Sequence, residues 1–379
     1  MSFYKHSPEL IKIITDMIRR DRLSIVSGSY LKLFETAIAD FWGNRYGMAF
    51  ANGTGAIHSA LFALDVHLGD EVIVPTYGFH AMVIPILLLG ATPVFCDISF
   101  STLCLEVEHV EKVKTSKTKG ILLLHPWGNV ADMNNLRAYA DKNNLFILSD
   151  ASHAHGACFG GQPIGKYSEI TCVSYGKDKL ISGGELGGAT TDSDQLWDRM
   201  ALFSQVNRIP ADLQTSTYKY MSNSIGPKYR PHALSLPIAL DQLNSYSERI
   251  LKLNININKF CSYLKSTRIF EIQKVYPDVS RVYWKIVVFI NHKNPLKVNK
   301  FILETAKSMS LVIEQDHYSP LLHQDPIYKE YYNISSCNNS LPNAESLKNK
   351  IVQIHAPILD DENFVYKYCE LFKTVENKL

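Results

Sequence analysis

The chain of 379 residues has little net charge, because 39 lysines and arginines nearly balance 37 aspartates and glutamates and leave a formal charge of +2. It also lacks a long block of one sign, so the sequence does not indicate a nucleic-acid surface. Its seven cysteines have no CxxC spacing and are odd in number. This argues against a disulfide framework and a zinc module, and favours a reducing compartment. We therefore expect a cytoplasmic protein that binds no nucleic acid.

A membrane-spanning run is missing as well. The longest apolar stretch, "AMVIPILLLGATPVF", is shorter than a bilayer span and is interrupted by Pro85 and Gly90. The first residues, "MSFYKHSPELIKIITDMIRRDRLS", carry too many charges for a secretory signal. Hydrophobic residues at 46% and charged residues at 20% are typical of a globular protein. We expect no membrane partner.

The order of the apolar segments predicts an α/β fold. Between about residues 45 and 190, strand-like runs alternate with segments of helical period, which is typical of a mostly parallel sheet flanked by helices. The predicted strands are "EVIVP", "TPVFCDI", "GILLLHP", "LFILSDA" and "ITCVSYG". Beyond about residue 235, one long helical stretch leads into a smaller α+β part. We expect an N-terminal helix in residues 1–22 that packs with this small domain, a large domain over 23–240 and the small C-terminal domain over 241–379.

The segment "ANGTGAIHSAL" places Gly53, Thr54 and Gly55 before a helical pattern. Small residues at a helix start expose backbone N–H groups to an anion, and the helix dipole adds favourable charge. The segment therefore suits a phosphate group, although an ordinary helix start has the same composition. It is not the dinucleotide fingerprint, which needs glycine where His58 stands.

The segment "LFILSDASHAHGA" delivers Asp150 at the end of a predicted strand. Ligands bind at this edge of open α/β sheets, so Asp150 is placed either to meet a buried cation or to cap the next helix. His153 and His155 follow without an acidic or cysteine partner at ligand spacing, and we predict no metal site.

A lysine pair follows the last predicted strand in "CVSYGKDKLISGGELGGATT". Lys177 or Lys179 would form a Schiff base if desolvated, whereas a solvated loop has the same composition. In "PTYGFHA", Tyr77, Phe79 or His80 is either a stacking partner for a flat cofactor or part of the core. A phosphate cradle, a planar side chain, a buried carboxylate and a lysine, in that order on one parallel sheet, are what pyridoxal phosphate requires.

With these segments, the sequence resembles the DegT/DnrJ/EryC1/StrS sugar aminotransferases, which are pyridoxal-phosphate enzymes of fold type I. The resemblance covers nearly the whole chain. It extends to the segments "SGSYLKLFETAIADFWGNRYGMAFANGTGAIHSAL", "GDEVIVPTYGFHA", "GATPVFCDIS", "HPWGNVADM", "GPKYRPHALSLPIALDQL" and "HYSPLLHQDPIY". It implies an aspartate-aminotransferase-like fold with a smaller C-terminal α+β domain.

The resemblance implies a role for each matching residue. Lys179, five residues after Ser174, would bind the cofactor covalently and shuttle protons, while Lys177 does not fit that spacing. Ser174 would bind the cofactor phosphate together with Thr54 and the N–H of Gly55.

Other cofactor contacts follow from the same resemblance. Asp150 would pair with the pyridine nitrogen, His153 would lie near the phenolic oxygen, and Phe79 would stack on the ring. Lys228 stands where the family often has an asparagine that reaches the phosphate of the neighbouring subunit, so a homodimer with shared sites is implied. Leu186 replaces a common glycine, and Gly176 replaces a bulkier residue.

The implied activity is transamination. The amino donor would be glutamate, and the acceptor a nucleotide-linked keto sugar, in amino-sugar, surface-polysaccharide or secondary-metabolite biosynthesis. Candidate substrate residues are Arg230, His317, Tyr318 and His323. The alternatives are a sugar dehydratase, in which the family replaces the lysine with histidine, and a catalytically silent protein that binds a sugar nucleotide. A nicotinamide oxidoreductase lacks its fingerprint here.

Overall fold

The structure is a computed structural model whose strands form three sheets. It describes residues 3–25, 30–208, 212–316 and 318–379. The strands in this part of the chain are β1 (Tyr46–Phe50), β2 (Glu71–Pro75), β3 (Thr92–Cys96), β4 (Thr118–Leu124), β5 (Phe146–Asp150), β6 (Cys158–Phe159), β7 (Gln162–Pro163), β8 (Ile170–Ser174), β9 (Gly187–Thr191), β10 (Phe270–Ile272), β11 (Val279–Ser280), β12 (Lys285–Ile290) and β13 (Ile351–His355).

The α-helices surround these sheets. They are α1 (Pro8–Arg19), α2 (Tyr30–Trp42), α3 (Gly53–Ala63), α4 (Ile84–Leu88), α5 (Val107–Val113), α6 (Met133–Lys142), α7 (Asp194–Ser204), α8 (Ser235–Asn244), α9 (Tyr246–Lys265), α10 (Pro295–Ser308), α11 (Pro342–Glu345) and α12 (Glu362–Asn377). None of the described helices is both long and apolar enough to cross a bilayer.

The main sheet has seven strands in the order β1-β9-β8-β5-β4-β2-β3. The neighbours from β8 to β3 pair in parallel, and β9 runs antiparallel to both β1 and β8. Most residues of these strands are buried, as expected when helices cover both faces of a parallel sheet. The five predicted strands are all present, and the α/β fold with a mostly parallel sheet is confirmed.

The parallel pairing brings two polar strand ends together. In the register of β5 and β8, Asp150 lies opposite Cys172, two residues before Ser174. The carboxyl ends of both strands therefore meet at one edge of the sheet, which is where open α/β folds bind ligands.

The C-terminal part contains a second, antiparallel sheet in the order β10-β12-β13. The predicted single helical stretch before it is interrupted at Ser245, which separates α8 from α9. We propose that the small domain begins at this interruption, because α9 packs against β10 and α12. The N-terminal helix lies on α8, since the Ser7 N–H donates to Asp241 Oδ2 at 3.2 Å.

Candidate active site

The start of α3 lies directly against the end of β8. A Cβ atom on Gly53 would be 3.0 Å from the Ser174 Cβ, so only glycine permits this approach without a shift. Asn52 caps the helix with its side chain, which accepts a hydrogen bond from the Gly55 N–H at 2.8 Å. The structure thus brings Thr54, Gly55 and Ser174 to one place, with the Gly55 donor engaged by the cap.

Tyr229 closes the other side of this helix start. A Cβ on Gly55 would lie 3.0 Å from the Tyr229 ring, and the Tyr229 hydroxyl is 2.9 Å from His58 Nδ1. The backbone of Tyr229 is fixed by the Ala51 N–H, which donates to its carbonyl at 2.8 Å. Lys228, the preceding residue, has an exposed side chain.

Asp150 is a buried carboxylate at the carboxyl end of β5. Its Oδ1 accepts the Ser152 N–H at 3.0 Å. Burial raises the pKa of the Asp150 carboxyl, while the hydrogen bonds from Ser152 and the charge of Lys179 act in the opposite direction. A cation that enters this pocket would therefore be held by a carboxylate that has few other partners.

The side chain of Lys179 points into the fold, in contrast to that of Lys177, which is exposed. The Lys179 Nζ lies 3.5 Å from the centre of the Trp284 ring. Burial lowers the pKa of Lys179 from 10.5 to about 7; the charge of Asp150 raises it and that of Lys285 lowers it further. A large fraction of this lysine is thus neutral, and hence nucleophilic, near neutral pH.

His153 belongs to an aromatic stack beside these groups. Its ring lies 4.9 Å from the Trp127 ring with an angle of 14° between the planes, and Tyr318 stacks on the same indole at 5.0 Å. The Tyr318 hydroxyl is 3.3 Å from His153 Nε2. The stack joins the predicted cofactor residue His153 to the predicted substrate residue Tyr318.

Trp127 holds a backbone conformation that few side chains adopt, with φ at 61°. It is supported by the segment before β12, because the Trp284 N–H donates to the Trp127 carbonyl at 3.3 Å and the Val282 N–H donates to that of Gly128 at 3.1 Å. Strain of this kind persists where the surroundings enforce it, often at functional sites.

The remaining predicted residues divide into open and enclosed positions. Phe79 is 45% exposed in the segment that follows the end of β2, where it can meet a planar ligand. Arg230 donates to the Val206 carbonyl at 3.2 Å. Both ring nitrogens of His323 have partners, Thr76 Oγ1 at 2.6 Å and Glu345 Oε1 at 3.1 Å. His317 lies outside the described residues.

The metal-capable side chains that come together in the described ranges are Glu106, Glu108 and His109, whose ligand atoms lie within 4.8 Å of one another. His153 and His155 are not part of this group. His155 instead bridges two backbone groups, since its Nε2 is 3.0 Å from the Ser174 carbonyl and its Nδ1 accepts the Ile181 N–H at 3.0 Å. It therefore serves to fix the loop that carries Lys179.

Sequence reasoning missed the aromatic and cationic side chains that surround the lysine. Trp284 and Lys285 stand where β12 begins, and Trp127 lies in the segment "HPWGNV". In the sequence they read as strand and loop residues. The signal in the sequence that could have identified Trp284 and Lys285 is "YWK", which places a lysine at the start of an otherwise apolar strand.

Comparisons with known proteins agree with this geometry. The sequence profile of the DegT/DnrJ/EryC1/StrS aminotransferase family matches residues 6–365. A GDP-perosamine synthase of Escherichia coli O157:H7 is 29% identical over 348 residues, which are 90% of this chain and 89% of the relative. A UDP-N-acetyl-3-dehydro-alpha-D-glucosamine 3-aminotransferase of Acidithiobacillus ferrooxidans is 35% identical over 179 residues, 47% of this chain and 48% of that protein.

A solved structure has the same fold over nearly its full length. The aminotransferase from Psychrobacter cryohalolentis superimposes with a TM-score of 0.87 and 25% identity, covering 98% of this chain and 97% of the other. Because the family profile spans almost the entire chain, the protein belongs to the DegT/DnrJ/EryC1/StrS aminotransferase family and is a pyridoxal-phosphate-dependent aminotransferase of fold type I.

Proposed function

We propose that this enzyme transfers an amino group from glutamate to the keto carbon of a sugar that is attached to a nucleotide. The observation that carries the proposal is the buried amine of Lys179, whose pKa is lowered to about 7, in the field of the buried Asp150 carboxylate. The names of the two relatives support a nucleotide-linked sugar as the acceptor, since one is a GDP-perosamine synthase and the other acts on a UDP-linked dehydro sugar. The product would enter amino-sugar, surface-polysaccharide or secondary-metabolite biosynthesis.

The described residues fit the cofactor of this family. The start of α3 offers a helix N-terminus beside the Ser174 hydroxyl, which suits a phosphate group. The buried Asp150 carboxylate suits a protonated ring nitrogen, because burial leaves it with few other partners. We assign phosphate contacts to Thr54, Gly55 and Ser174 and the ring nitrogen to Asp150; the Gly55 N–H would be shared between the phosphate and the Asn52 cap.

Two further assignments follow from position. Phe79, exposed at the end of β2, would cover one face of the cofactor ring, and His153 would lie near its phenolic oxygen. Tyr318 would reach the substrate next to His153, with which it already forms a contact at 3.3 Å.

The base in this reaction must be largely neutral near pH 7 and must be stabilised once it is protonated, and Lys179 meets both requirements. When bound, pyridoxal phosphate supplies the electron sink and carries the amino group between the two half-reactions. Because the Lys179 amine is neutral in large part near pH 7, it can take a proton from the substrate carbon and return it. Asp150 stabilises the resulting ammonium through its charge.

We propose that the enzyme acts in the cytoplasm as a homodimer in which Lys228 reaches the phosphate of the partner's site. Support comes from the exposed segment around it, which combines apolar and cationic groups: Tyr220 is 79% exposed and Ile225 is 56% exposed. Such residues are typical of a surface that another chain covers. The seven cysteines, all free, suit a reducing compartment.

Hybrid dimers test the shared site. Lys179→Ala and Lys228→Ala would each be inactive or weak alone. If Lys228 acts across the interface, mixing the two variants restores one intact site per hybrid dimer and about a quarter of wild-type activity by random assortment. If Lys228 serves its own subunit, each defect stays in its own site and mixing restores no intact one.

The test of the function is a spectral assay followed by a substrate panel. Adding glutamate to the purified holoenzyme should bleach its yellow absorbance, and nucleotide keto sugars should restore it. Bleaching without restoration by any nucleotide sugar would reject the acceptor but retain the aminotransferase. No bleaching by any amino donor would favour the catalytically silent alternative. Release of water from a keto sugar precursor without net amination would favour the dehydratase.

A further inference from the structure

One tryptophan contacts both the side chain and the backbone next to Lys179. The ring of Trp284 lies 3.5 Å from the Lys179 Nζ, while the Trp284 Nε1–H donates to the Asp178 carbonyl at 2.7 Å. Asp178 has a φ of 67°, a conformation that is uncommon for residues other than glycine. The indole therefore fixes the peptide bond that precedes Lys179 as well as the end of its side chain.

The same carbonyl receives other donors from distant parts of the chain. The Tyr4 hydroxyl donates to Asp178 O at 2.9 Å, and His355 Nε2 lies 3.2 Å from it. On the other side of the lysine, Arg249 donates to the Leu180 carbonyl at 3.3 Å. The backbone on both sides of Lys179 is thus held by side chains from the N-terminus, α9 and the C-terminal sheet.

Trp284 also borders a cavity that is open to solvent. It lines an open cavity of about 1140 Å³, together with Tyr4, Lys177, Asp178 and His355. Trp284 is itself only 8% exposed, and it carries the Lys179 amine on its ring. The indole thus contacts the amine and also borders the cavity, whose lining includes Trp284 but not Lys179.

We propose that Trp284 is a positioning residue for Lys179, which anchors the peptide bond before the lysine through Nε1 and shields the lysine amine from the adjacent cavity with its ring. The inference rests on the proposed role of Lys179 in transamination. It means that Trp284, in the C-terminal part of the chain, influences the protonation of Lys179, which follows strand β8 of the main sheet.

Several charged groups influence the pKa of the Lys179 amine, and the sum of their effects with that of burial determines the direction of the shift. Burial is the largest influence and lowers the pKa of Lys179; Asp150 on β5 raises it, Lys285 on β12 lowers it, and Asp178 raises it. His155 also faces the lysine, and burial lowers the pKa of His155 to about 3, so it is uncharged. A cation–π contact favours the ammonium by about one pKa unit, which is less than the lowering by burial.

Trp284→Leu should therefore raise the pKa of Lys179, because water from the cavity reaches the amine and this outweighs the lost ring contact. Full-length protein freed of cofactor would be labelled with an amine-reactive reagent across pH 6–11, with Lys179 followed by peptide mass spectrometry. We expect the labelling midpoint to rise by about one unit or more. Reloading with cofactor checks that the variant is folded.

Trp284→Phe keeps an aromatic ring over the amine and removes the Nε1–H donor together with part of the indole's area. Its labelling midpoint should stay near that of the wild type, while the rate of bleaching by saturating glutamate falls about tenfold with little change in the half-saturating concentration, since geometry and not binding is impaired. Tyr4→Phe is the matched control. It removes a donor to the same carbonyl without touching the amine, and should leave the midpoint unchanged.

The outcomes separate this inference from the proposed function. A folded Trp284→Leu variant with a wild-type midpoint overturns the inference, as does Tyr4→Phe shifting the midpoint equally, which would indicate general loosening. If Trp284→Leu does not fold, wild-type bleaching kinetics in Trp284→Phe overturn it. A wild-type enzyme that glutamate does not bleach contradicts the proposed function and leaves the labelling midpoints to decide on Trp284 alone.

Discussion

Gly53 at the start of α3 lies so close to Ser174 at the end of β8 that a Cβ on the glycine would be 3.0 Å from the Cβ of the serine. This contact brings a helix N-terminus and a hydroxyl group to the same point. Both are good partners for a phosphate, the first through its dipole and N–H groups and the second through its proton. The geometry of the site thus depends on the absence of one side chain.

Ser174→Ala should weaken cofactor binding about tenfold, because one hydrogen bond to a charged group contributes about 1.5–3 kcal/mol at most. Fluorescence titration of the cofactor-free protein with pyridoxal phosphate measures the affinity. Ser193→Ala is a control, since the Ser193 Oγ caps α7 far from the site by accepting the Leu196 N–H. It should lower stability by about 1 kcal/mol and leave the affinity unchanged. Equal affinities for wild type and Ser174→Ala would remove Ser174 from the phosphate site.

Asp150→Asn should lower the pKa of Lys179 below its value of about 7, because the charge of Asp150 is what raises that pKa against burial. In the holoenzyme we expect kcat to fall about a hundredfold or more, because the variant lacks the charge that we propose to pair with the ring nitrogen. Labelling of Lys179 as a function of pH and steady-state kinetics provide the two readouts. Asp178→Asn removes the weaker of the two favourable charges and should shift the pKa less. A larger shift of the Lys179 pKa in Asp178→Asn than in Asp150→Asn would contradict the assignment of Asp150 as the stronger charge.

The pH dependence of stability should carry the signature of Lys179. Its pKa is lowered from 10.5 to about 7 in the folded chain, so the unfolded chain binds more protons between these values. The contribution of Lys179 to the free energy of unfolding therefore increases as the pH rises from about 7 toward 10.5. In urea unfolding without cofactor, the difference between wild type and Lys179→Met should grow by on the order of 2 kcal/mol from pH 7 to pH 9.5.

The control for this measurement is Lys177→Met, which alters an exposed side chain two residues away. It should leave the pH dependence as in the wild type. A constant difference between wild type and Lys179→Met across this range would show that Lys179 is not desolvated.

A buried ion pair supports the far side of the main sheet. The Nη1 and Nη2 atoms of Arg208 donate to the two carboxylate oxygens of Glu35 at 2.8 and 2.9 Å, and Glu35 also accepts the Ala49 N–H. Glu35→Gln would remove the buried counter-charge, leave Arg208 its pair with the half-exposed Asp212 at 2.8 Å, and should cost about 3 kcal/mol of stability. Glu362→Gln, at an exposed pair with Lys259, should have little effect. Chemical denaturation measures the free energy of unfolding of both variants. Similar losses of stability in Glu35→Gln and Glu362→Gln would contradict the larger contribution that we assign to the buried pair.

Much of the sheet could be predicted from the sequence because each parallel strand is a short, continuous apolar run bounded by polar residues. The same runs predicted which residues stand at the carboxyl edge, and Asp150 and Ser174 are indeed there. The helix around Ser245 was less predictable, since both halves have helical period and the interruption contains neither glycine nor proline.

The surroundings of Lys179 could not be predicted in the same way. Tyr4, Trp284 and His355 converge on the Asp178 carbonyl from positions more than a hundred residues distant from it in the chain. No local pattern encodes such a meeting, which is created only when the C-terminal sheet packs on the large one. The same holds for His323, whose ring nitrogens contact Thr76 and Glu345 from positions far apart in the chain.

The central claim is that Lys179, and not Lys177, holds the cofactor. Reduction of the holoenzyme with borohydride fixes the linkage, and peptide mass mapping then locates it. We predict a pyridoxyl group on Lys179 alone, and no such adduct and no transamination in Lys179→Ala, while Lys177→Ala keeps both. A modified Lys177, or undiminished activity in Lys179→Ala, would contradict the account.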